Sequence, residues 1–138
     1  MQKVLVIDAQ GGGIGKQLIA EIINRNLNVE LIAIGTIATA TAQMVKAGAS
    51  RGATGENPVI VGCRNADFII GPIGIAVADS MLGEITPHMA AAVGSSPAKR
   101  IFIPINTCGN YVVGIVNKGI KAYIAEAVDF LQASLDNK

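Results

Sequence analysis

Residues 3–26, KVLVIDAQGGGIGKQLIAEIINRN, join two different apolar patterns across a glycine-rich turn. The run KVLVID is short and almost wholly apolar, which is typical of a buried strand. After the glycines, apolar residues recur with helical spacing, so that Leu18 and Ile22 share one face of a helix predicted over 14–26. A buried strand, a glycine-rich turn and an amphipathic helix, in this order, predict the start of an α/β fold.

The rest of the chain alternates between the same two patterns. Further strands are predicted at 29–35, 51–53, 67–71, 100–105 and 111–116, the last of them returning antiparallel. Further helices are predicted at 36–49, from Asn57 onwards, and at 73–85, 86–96 and 120–135. The predicted helix N-caps are Thr36, Asn57 and Thr86, with Pro58 and Pro87 at first helical positions and Gly48 near the end of the second helix.

Short apolar strands with intervening helices indicate a parallel sheet that is covered on both faces. We predict one three-layer, Rossmann-like α/β domain over residues 1–138, with helices on both faces of a mostly parallel sheet. The predicted strand order is 3-2-1-4-5, with a sixth strand added at one edge. The flavodoxin-like strand order stays open as the alternative, because the sequence pattern alone does not distinguish the two.

The composition favours an assembly of several copies of the chain. The 138 residues are 51% hydrophobic and 15% charged, whereas ordinary soluble domains are about 25% charged. A surface so poor in charge predicts that part of it is buried in a homodimer or a larger homo-oligomer. The formal net charge of +1 and the aromatic share of 4% argue against a nucleic-acid partner.

Targeting and redox features predict a cytoplasmic protein. Asp8 and the glycines after it interrupt the first apolar run, which therefore lacks a secretory pattern. The longest apolar stretch, FIIGPIGIAVA at 68–78, is broken by Pro72 and is too short to span a bilayer, so no membrane partner is expected. Cys63 and Cys108 form no metal-binding motif, and we predict a reduced protein without a metal site.

Glycine-rich or polar loops follow the first five predicted strands: QGGGIGK, GT, GATGEN, GPIG and NTCGN. In this fold class these loops meet at the edge where ligands bind. Glycines let the backbone approach a phosphate, and a helix N-terminus attracts an anion. We predict a small phosphorylated ligand, a nucleotide or dinucleotide, bound by Asp8, Gln10, Gly11, Gly12, Gly13, Ile14, Gly15, Lys16, Thr36, Thr54, Gly71, Pro72 and Gly74. Asp8 is expected to hold the loop through backbone N–H groups, with a ligand hydroxyl or a metal as its alternative partner.

The identity of the ligand stays open at this point. The dinucleotide fingerprint G-x-G-x-x-G is absent, because Lys16 or Leu18 stands at the position of the third glycine. The end of the second strand, at 34–36, has no acidic residue to bind an NAD ribose. Thr36, Thr39 and Thr41 favour a phosphate at the start of the next helix. NADP or another phosphorylated nucleotide is therefore the expected ligand.

Two other functions fit the same sequence, and no catalytic residue is assigned. The first is a small NADP- or nucleotide-dependent enzyme whose site is completed at an oligomer interface. Its candidate titratable groups are Asp8, Glu56, His88 and Cys108. The second is an interaction scaffold that keeps the fold and has lost its ligand. We interpret Cys63 as a small core residue and Glu84 as a helix-surface charge.

Two local stretches resemble known families. The loop resembles the deviant Walker loop of the ParA and MinD ATPases, K-G-G-x-G-K-[ST]. The matching residues are Gly12, Gly13, Gly15 and Lys16, whereas Gly11 replaces the signature lysine and Gln17 replaces the Mg²⁺-binding hydroxyl. Residues 44–70 are similar in layout to the TrkA-type regulatory NAD-binding domains, with 52–54 at the turn that reads GDAT in those proteins. This second resemblance implies the strand order.

The whole chain resembles a small bacterial family known only as a domain of unknown function. The stretches that carry this resemblance are QGGGIGK, RGATGEN, IIGPIGI, MLGEITP and SSPAKRI. The resemblance implies a Rossmann-like fold, and it implies no activity and no site.

Overall fold

Five parallel strands form one sheet in the described part of the chain, residues 1–105 and 109–137 of a computed structural model. The strands are β1 Gln2–Asp8, β2 Val29–Gly35, β3 Arg51–Thr54, β4 Phe68–Pro72 and β5 Lys99–Ile103. Their order is β3-β2-β1-β4-β5, which confirms the predicted order of the first five strands. At the centre, Val4 of β1 pairs with Leu31 on one side and with Phe68 on the other.

Helices cover both faces of this sheet. They are α1 Gly13–Asn24, α2 Ala38–Ala47, α3 Glu56–Asn65, α4 Pro87–Ser95 and α5 Ile120–Asp136. Val4 and Val6 pack in a core with α1, α2 and α5, whereas Leu5 and Ile7 pack in a second core with α3 and α4. Because β1 is buried on both faces, its sequence is an unbroken apolar run. The arrangement confirms the three-layer, Rossmann-like α/β fold.

The predicted sixth strand at 111–116 is not formed. Residues 109–119, the C-terminal loop, have no regular structure, and Gly114 and Gly119 adopt positive φ angles of 87° and 82°. Tyr111 is 88% exposed and Val113 is 85% exposed. The β-branched composition predicts a strand, but a strand also needs a hydrogen-bonding neighbour, and in the isolated chain this segment has none in the sheet. The predicted turn at 106–110 lies partly outside the described residues, which include only its last two.

The predicted helix at 73–85 is wrong beyond its first turn. Ile73–Ala76 form a short 3-10 helix, and residues 77–85, the Glu84 loop, continue as a series of turns. The Ser80 hydroxyl donates to the carbonyl oxygen of Gly74 at 2.5 Å, and the Asp79 N–H donates to that of Ile85 at 2.7 Å. These bonds compete with a regular helix for the same backbone groups.

The predicted helix starts are confirmed in one case of three. Thr86 caps α4 by accepting a hydrogen bond from the Met89 N–H at 3.1 Å, with Pro87 as the first helical residue. In contrast, α2 begins after Ile37 and α3 begins after Gly55, so Thr36 and Asn57 are not the caps. Proline at the third position of α3 is tolerated because N–H groups in the first turn have no helical partner.

Candidate functional site

The strand order puts the ligand crevice expected of this fold class between the carboxyl ends of β1 and β4. The chain moves outward from β1 through β2 to β3, and then returns to the other side of β1 to form β4. In open α/β sheets, ligands bind at such a reversal of strand order. Three segments meet there: residues 9–15, here called the glycine loop, whose last three residues begin α1, residues 36–37 after β2, and the 3-10 helix after β4.

Asp8 fixes the glycine loop from inside. It is the last residue of β1 and is 3% exposed. Its carboxylate accepts hydrogen bonds from the N–H groups of Ala9 at 2.8 Å and Gly15 at 2.6 Å. Burial raises the pKa of Asp8, the donors from Gly15, Ala9 and Ile14 oppose that rise, and the nearby Glu84 charge adds to it. The predicted structural role of Asp8, as acceptor for loop amides, is confirmed.

Two of the loop glycines are required by the fold. Gly12 has a φ of 74°, and a Cβ atom there would lie 2.8 Å from the Cα of Ala40 in α2. A Cβ atom on Gly15 would overlap the sulfur of Met44 and lie 3.0 Å from Cβ of Asp8. Gly12 therefore provides the turn, and Gly15 allows α1 and α2 to pack closely.

Gly11 and Gly13 have no such internal reason to be glycine. Neither has a positive φ, and a Cβ atom at either position would meet nothing within 4 Å. Both are exposed, and Gly13 is the first residue of α1, where backbone N–H groups have no helical partner. Lys16 is exposed one turn further along α1, while Ile14 is buried in the core. The exposed side of the loop is therefore bare backbone next to a helix N-terminus.

Glu84 joins the loop to the end of β2. Its Oε1 atom accepts a hydrogen bond from the Gln10 N–H and another from the Thr36 hydroxyl, both at 2.7 Å. Gln10 itself is exposed and has a φ of 52°. The interpretation of Glu84 as a helix-surface charge is wrong, because the Glu84 loop is not helical and turns this carboxylate onto the glycine loop. The sequence carries no direct signal for a contact between residues 74 positions apart.

Two of the three threonines predicted to bind a phosphate, Thr36 and Thr41, are hydrogen-bonded within the protein. The Thr36 hydroxyl donates to Glu84. The Thr41 hydroxyl accepts from the Gly35 N–H at 3.1 Å and contacts the Thr54 hydroxyl at 2.7 Å, which ties the ends of β2 and β3 together. Thr39 is exposed on the first turn of α2. Threonine hydroxyls at this edge therefore organise the strand ends.

A family model described as domain of unknown function (DUF3842) matches residues 3–136. The chain belongs to this family. The match spans the glycine loop, the Glu84 loop and all of the sheet except Gln2, and it gives no support to the resemblances to ParA, MinD and TrkA-type proteins. No curated protein matches the chain. Among the described helices of this family member, none is both long and apolar enough to cross a membrane.

The remaining predicted ligand residues, Gly71, Pro72 and Gly74, are buried at the end of β4. A Cβ atom on Gly71 would overlap the backbone oxygen of Ile7, so this glycine allows β1 and β4 to approach. The Gly74 carbonyl accepts the Ser80 hydroxyl. These positions lie at or just after the carboxyl end of β4, the same sheet edge as the glycine loop.

The candidate titratable groups are only partly brought together. Asp8 contacts the glycine loop, Glu56 is hydrogen-bonded to the Thr86 hydroxyl, and His88 is exposed in the first turn of α4. Cys108 lies outside the described residues. Cys63 is buried in the second core as predicted, and burial raises the pKa of its thiol to about 11, so it is protonated at neutral pH.

A cavity of about 750 Å³ lies at the opposite end of the sheet. It is lined by Phe68 and Lys99 at the amino ends of β4 and β5, together with Ser134 of α5. Ligands of open α/β sheets bind at the carboxyl ends of the strands. The crevice beside the glycine loop is therefore the better candidate site, although this cavity is spacious.

Proposed function

We propose that the chain binds a nucleotide or dinucleotide, with a phosphate group on the outer side of the glycine loop. The observation that carries this proposal is the pair Gly11 and Gly13. Neither glycine is needed for backbone conformation or for internal packing. Glycine in a helix start or loop costs conformational entropy, and close approach of a ligand to the backbone is a use that offsets this cost.

The helix N-terminus favours a phosphate at the loop, while the carboxylates of Asp8 and Glu84 already accept other amides there. Asp8 accepts the N–H groups of Ala9 and Gly15, and within the described residues the amides of Gly11 and Gly13 are not among its donors. The first turn of α1 adds the partial positive charge of a helix N-terminus. No acidic residue lies in that first turn, and the Lys16 side chain is exposed there.

The test compares Gly13→Leu with Gly94→Leu on the full chain. Both positions are exposed helical glycines with open space around a Cβ atom, but Gly94 lies in α4, away from the loop. Thermal unfolding is measured with NAD, NADP, FMN, ATP with and without Mg²⁺, coenzyme A and S-adenosylmethionine. A ligand at 100 times its dissociation constant stabilises the fold by about 2.7 kcal/mol.

We expect one nucleotide to raise the melting temperature of the unmodified chain and of Gly94→Leu. It should leave that of Gly13→Leu unchanged, because the leucine side chain occupies the space above the loop. Equal binding by both variants would show that the ligand does not bind at the glycine loop. A flat response of the unmodified chain, freed of bound ligand, would contradict nucleotide binding.

A ligand-free interaction scaffold is the second candidate. It is favoured by the two carboxylates, Asp8 and Glu84, that already accept amides of the glycine loop. The small enzyme completed by a partner subunit has less structural support than the scaffold. Among its described candidate groups, Asp8 is the one that is hydrogen-bonded to the loop region. The ligand panel separates the scaffold from the two ligand-binding functions, because only the scaffold predicts that no ligand raises the melting temperature.

We also propose that the chain forms a homodimer or a larger assembly. Several apolar side chains are strongly exposed, among them Leu82 at 98% and Tyr111, Val113 and Val116 in the C-terminal loop. Exposed apolar groups that lie together in one segment are typical of protein–protein contacts. Sedimentation equilibrium should give at least twice the mass of 14.2 kDa, and a mass of one chain would contradict the proposal.

A further inference from the structure

The Glu84 carboxylate lies where two elements of the proposed nucleotide site meet. One of its oxygens accepts hydrogen bonds from the glycine loop, at the Gln10 N–H, and from Thr36, the residue after β2. Its other oxygen, Oε2, has no hydrogen-bond partner among the residues that the structure describes. This leaves one carboxylate oxygen beside the loop that can accept a hydrogen bond from a ligand.

In dinucleotide-binding sheets, an acidic residue at the end of the second strand accepts the ribose hydroxyls, while the loop after the first strand binds the phosphates. Here β2 ends at Gly35 and supplies no acid. Glu84, from the loop that follows β4, brings a carboxylate to the end of β2 by its hydrogen bond from Thr36. We infer that Glu84 accepts the ribose hydroxyls of the bound nucleotide and selects an unphosphorylated ribose, as in NAD or ADP, in place of the NADP expected from the sequence. This inference rests on the proposed function.

The surroundings of Glu84 disfavour a ribose with a 2′-phosphate. Such a phosphate would face the carboxylate of Glu84, and sites that accept it use a nearby arginine. The four arginines of the chain all lie toward the amino ends of the strands. Arg51 begins β3 and pairs with Glu30, and Arg25 follows the last turn of α1. None of the four is at the carboxyl edge to neutralise the phosphate.

The backbone holds Glu84 in this position at a conformational cost. Asp79, Met81 and Leu82 adopt positive φ angles between 55° and 62°, although none is glycine. Met81 and Ile85 are buried in the second core and anchor the Glu84 loop on either side of its tip. Sparsely populated backbone conformations of this kind are concentrated at ligand clamps and active sites. The loop therefore presents the carboxylate in a fixed geometry.

The test measures the dissociation constants of NAD and NADP, which differ only by the 2′-phosphate, by calorimetry on the full chain. Glu84→Gln removes the charge and keeps an oxygen that accepts from Gln10 and Thr36, so the loop contact is preserved. Glu126→Gln is the matched control, because Glu126 pairs with Lys118 at an exposed site on α5. Thr36→Val removes the hydroxyl that positions Glu84. Thermal unfolding without ligand checks that each variant is folded.

We expect the unmodified chain and Glu126→Gln to prefer NAD over NADP by about tenfold or more, the size of one charge-assisted hydrogen bond. In Glu84→Gln, NAD binding weakens by about tenfold, NADP binding tightens, and the preference disappears. Thr36→Val reduces the preference by a smaller factor.

Three results would overturn the inference. Equal affinity of the unmodified chain for the two nucleotides leaves nucleotide binding intact and removes the role of Glu84. Tighter binding of both nucleotides by Glu84→Gln would identify the carboxylate as a group that blocks the loop. If neither nucleotide binds the unmodified chain, the inference fails, and the wider ligand panel then decides the proposed function separately.

Discussion

The glycine loop and the Glu84 loop meet at one hydrogen bond, and they differ in what their turns expose. In the glycine loop, Gly12 and Gln10 adopt positive φ angles, and Gly11 and Gly13 leave the outer surface without side chains. In the Glu84 loop, Asp79, Met81 and Leu82 adopt positive φ angles without being glycine, alongside Gly83. The glycine loop therefore leaves its backbone accessible, whereas the Glu84 loop adopts unfavourable backbone conformations that position the Glu84 side chain.

This difference indicates that the two loops contact different parts of a ligand at the candidate site. Backbone amides at a helix N-terminus, such as those of the glycine loop, suit a phosphate. A carboxylate that distinguishes a free ribose hydroxyl from a phosphorylated one must be fixed in position. The buried anchors Met81 and Ile85 provide that fixation for Glu84.

The largest expected effect separates two adjacent positions of the glycine loop. Gly12→Ala should lower the free energy of unfolding by roughly 2–4 kcal/mol, because a Cβ atom there combines a positive φ with overlap of the Ala40 backbone. Gly13→Ala should change it by less than about 1 kcal/mol, because the position is open and helical. Urea unfolding measures both. Similar losses for the two variants would mean that Gly13 also serves the fold, which would remove the main support for a ligand at this position.

The next effect concerns Asp8, whose carboxyl has a raised pKa in the folded chain, chiefly through burial. A raised folded pKa favours the protonated form, so its contribution to stability is fully present below the ordinary value of 3.8. That contribution is lost as the pH rises through the folded pKa. Relative to Asp8→Asn, the unmodified chain should therefore lose stability across this window, by about 1.4 kcal/mol for each unit between the two pKa values.

Urea unfolding of both chains from pH 3.5 to 8 measures this difference. Glu30→Gln is the control for the general titration of surface carboxylates, because Glu30 lies at the amino end of β2 and pairs with Arg51. If the unmodified chain instead gains stability over Asp8→Asn as the pH rises, the loop amides outweigh burial. Asp8 would then be a favourable anion in the folded protein.

The sequence predicts the sheet well because each strand is specified by its own residues. β1 and β4 are apolar runs buried on both faces, and a strand of this kind is recognisable without knowledge of its neighbours. Right-handed crossovers then leave few possible orders. Asp8 and the turn after it are predicted for the same reason, because their partners lie within seven residues.

The conformation of the Glu84 loop cannot be predicted from its own residues, because it depends on contacts with residues far away in the sequence. Its apolar residues have a spacing compatible with a helix, and burial of Met81 and Ile85 satisfies that pattern without one. Glu84 bonds to Gln10 and to Thr36, which are 74 and 48 positions away. Pattern and propensity describe local preferences, so a contact of this range appears only when the fold is known.

The smallest effect tests whether the Glu84 loop is strained. Leu82 is 98% exposed and has a φ of 58°, so its side chain contributes little burial and its backbone is unfavourable. Leu82→Gly removes a cost of about 1–2 kcal/mol and adds about 0.5–1 kcal/mol of unfolded-state entropy. The net gain in unfolding free energy should be roughly 0.5 kcal/mol.

Ala78→Gly, at an exposed position of the same loop without a positive φ, should lose about the same amount of unfolding free energy. If both variants lose stability equally, the backbone at Leu82 stores no strain. The fixed presentation of Glu84 would then depend on its hydrogen bonds to Gln10 and Thr36 alone.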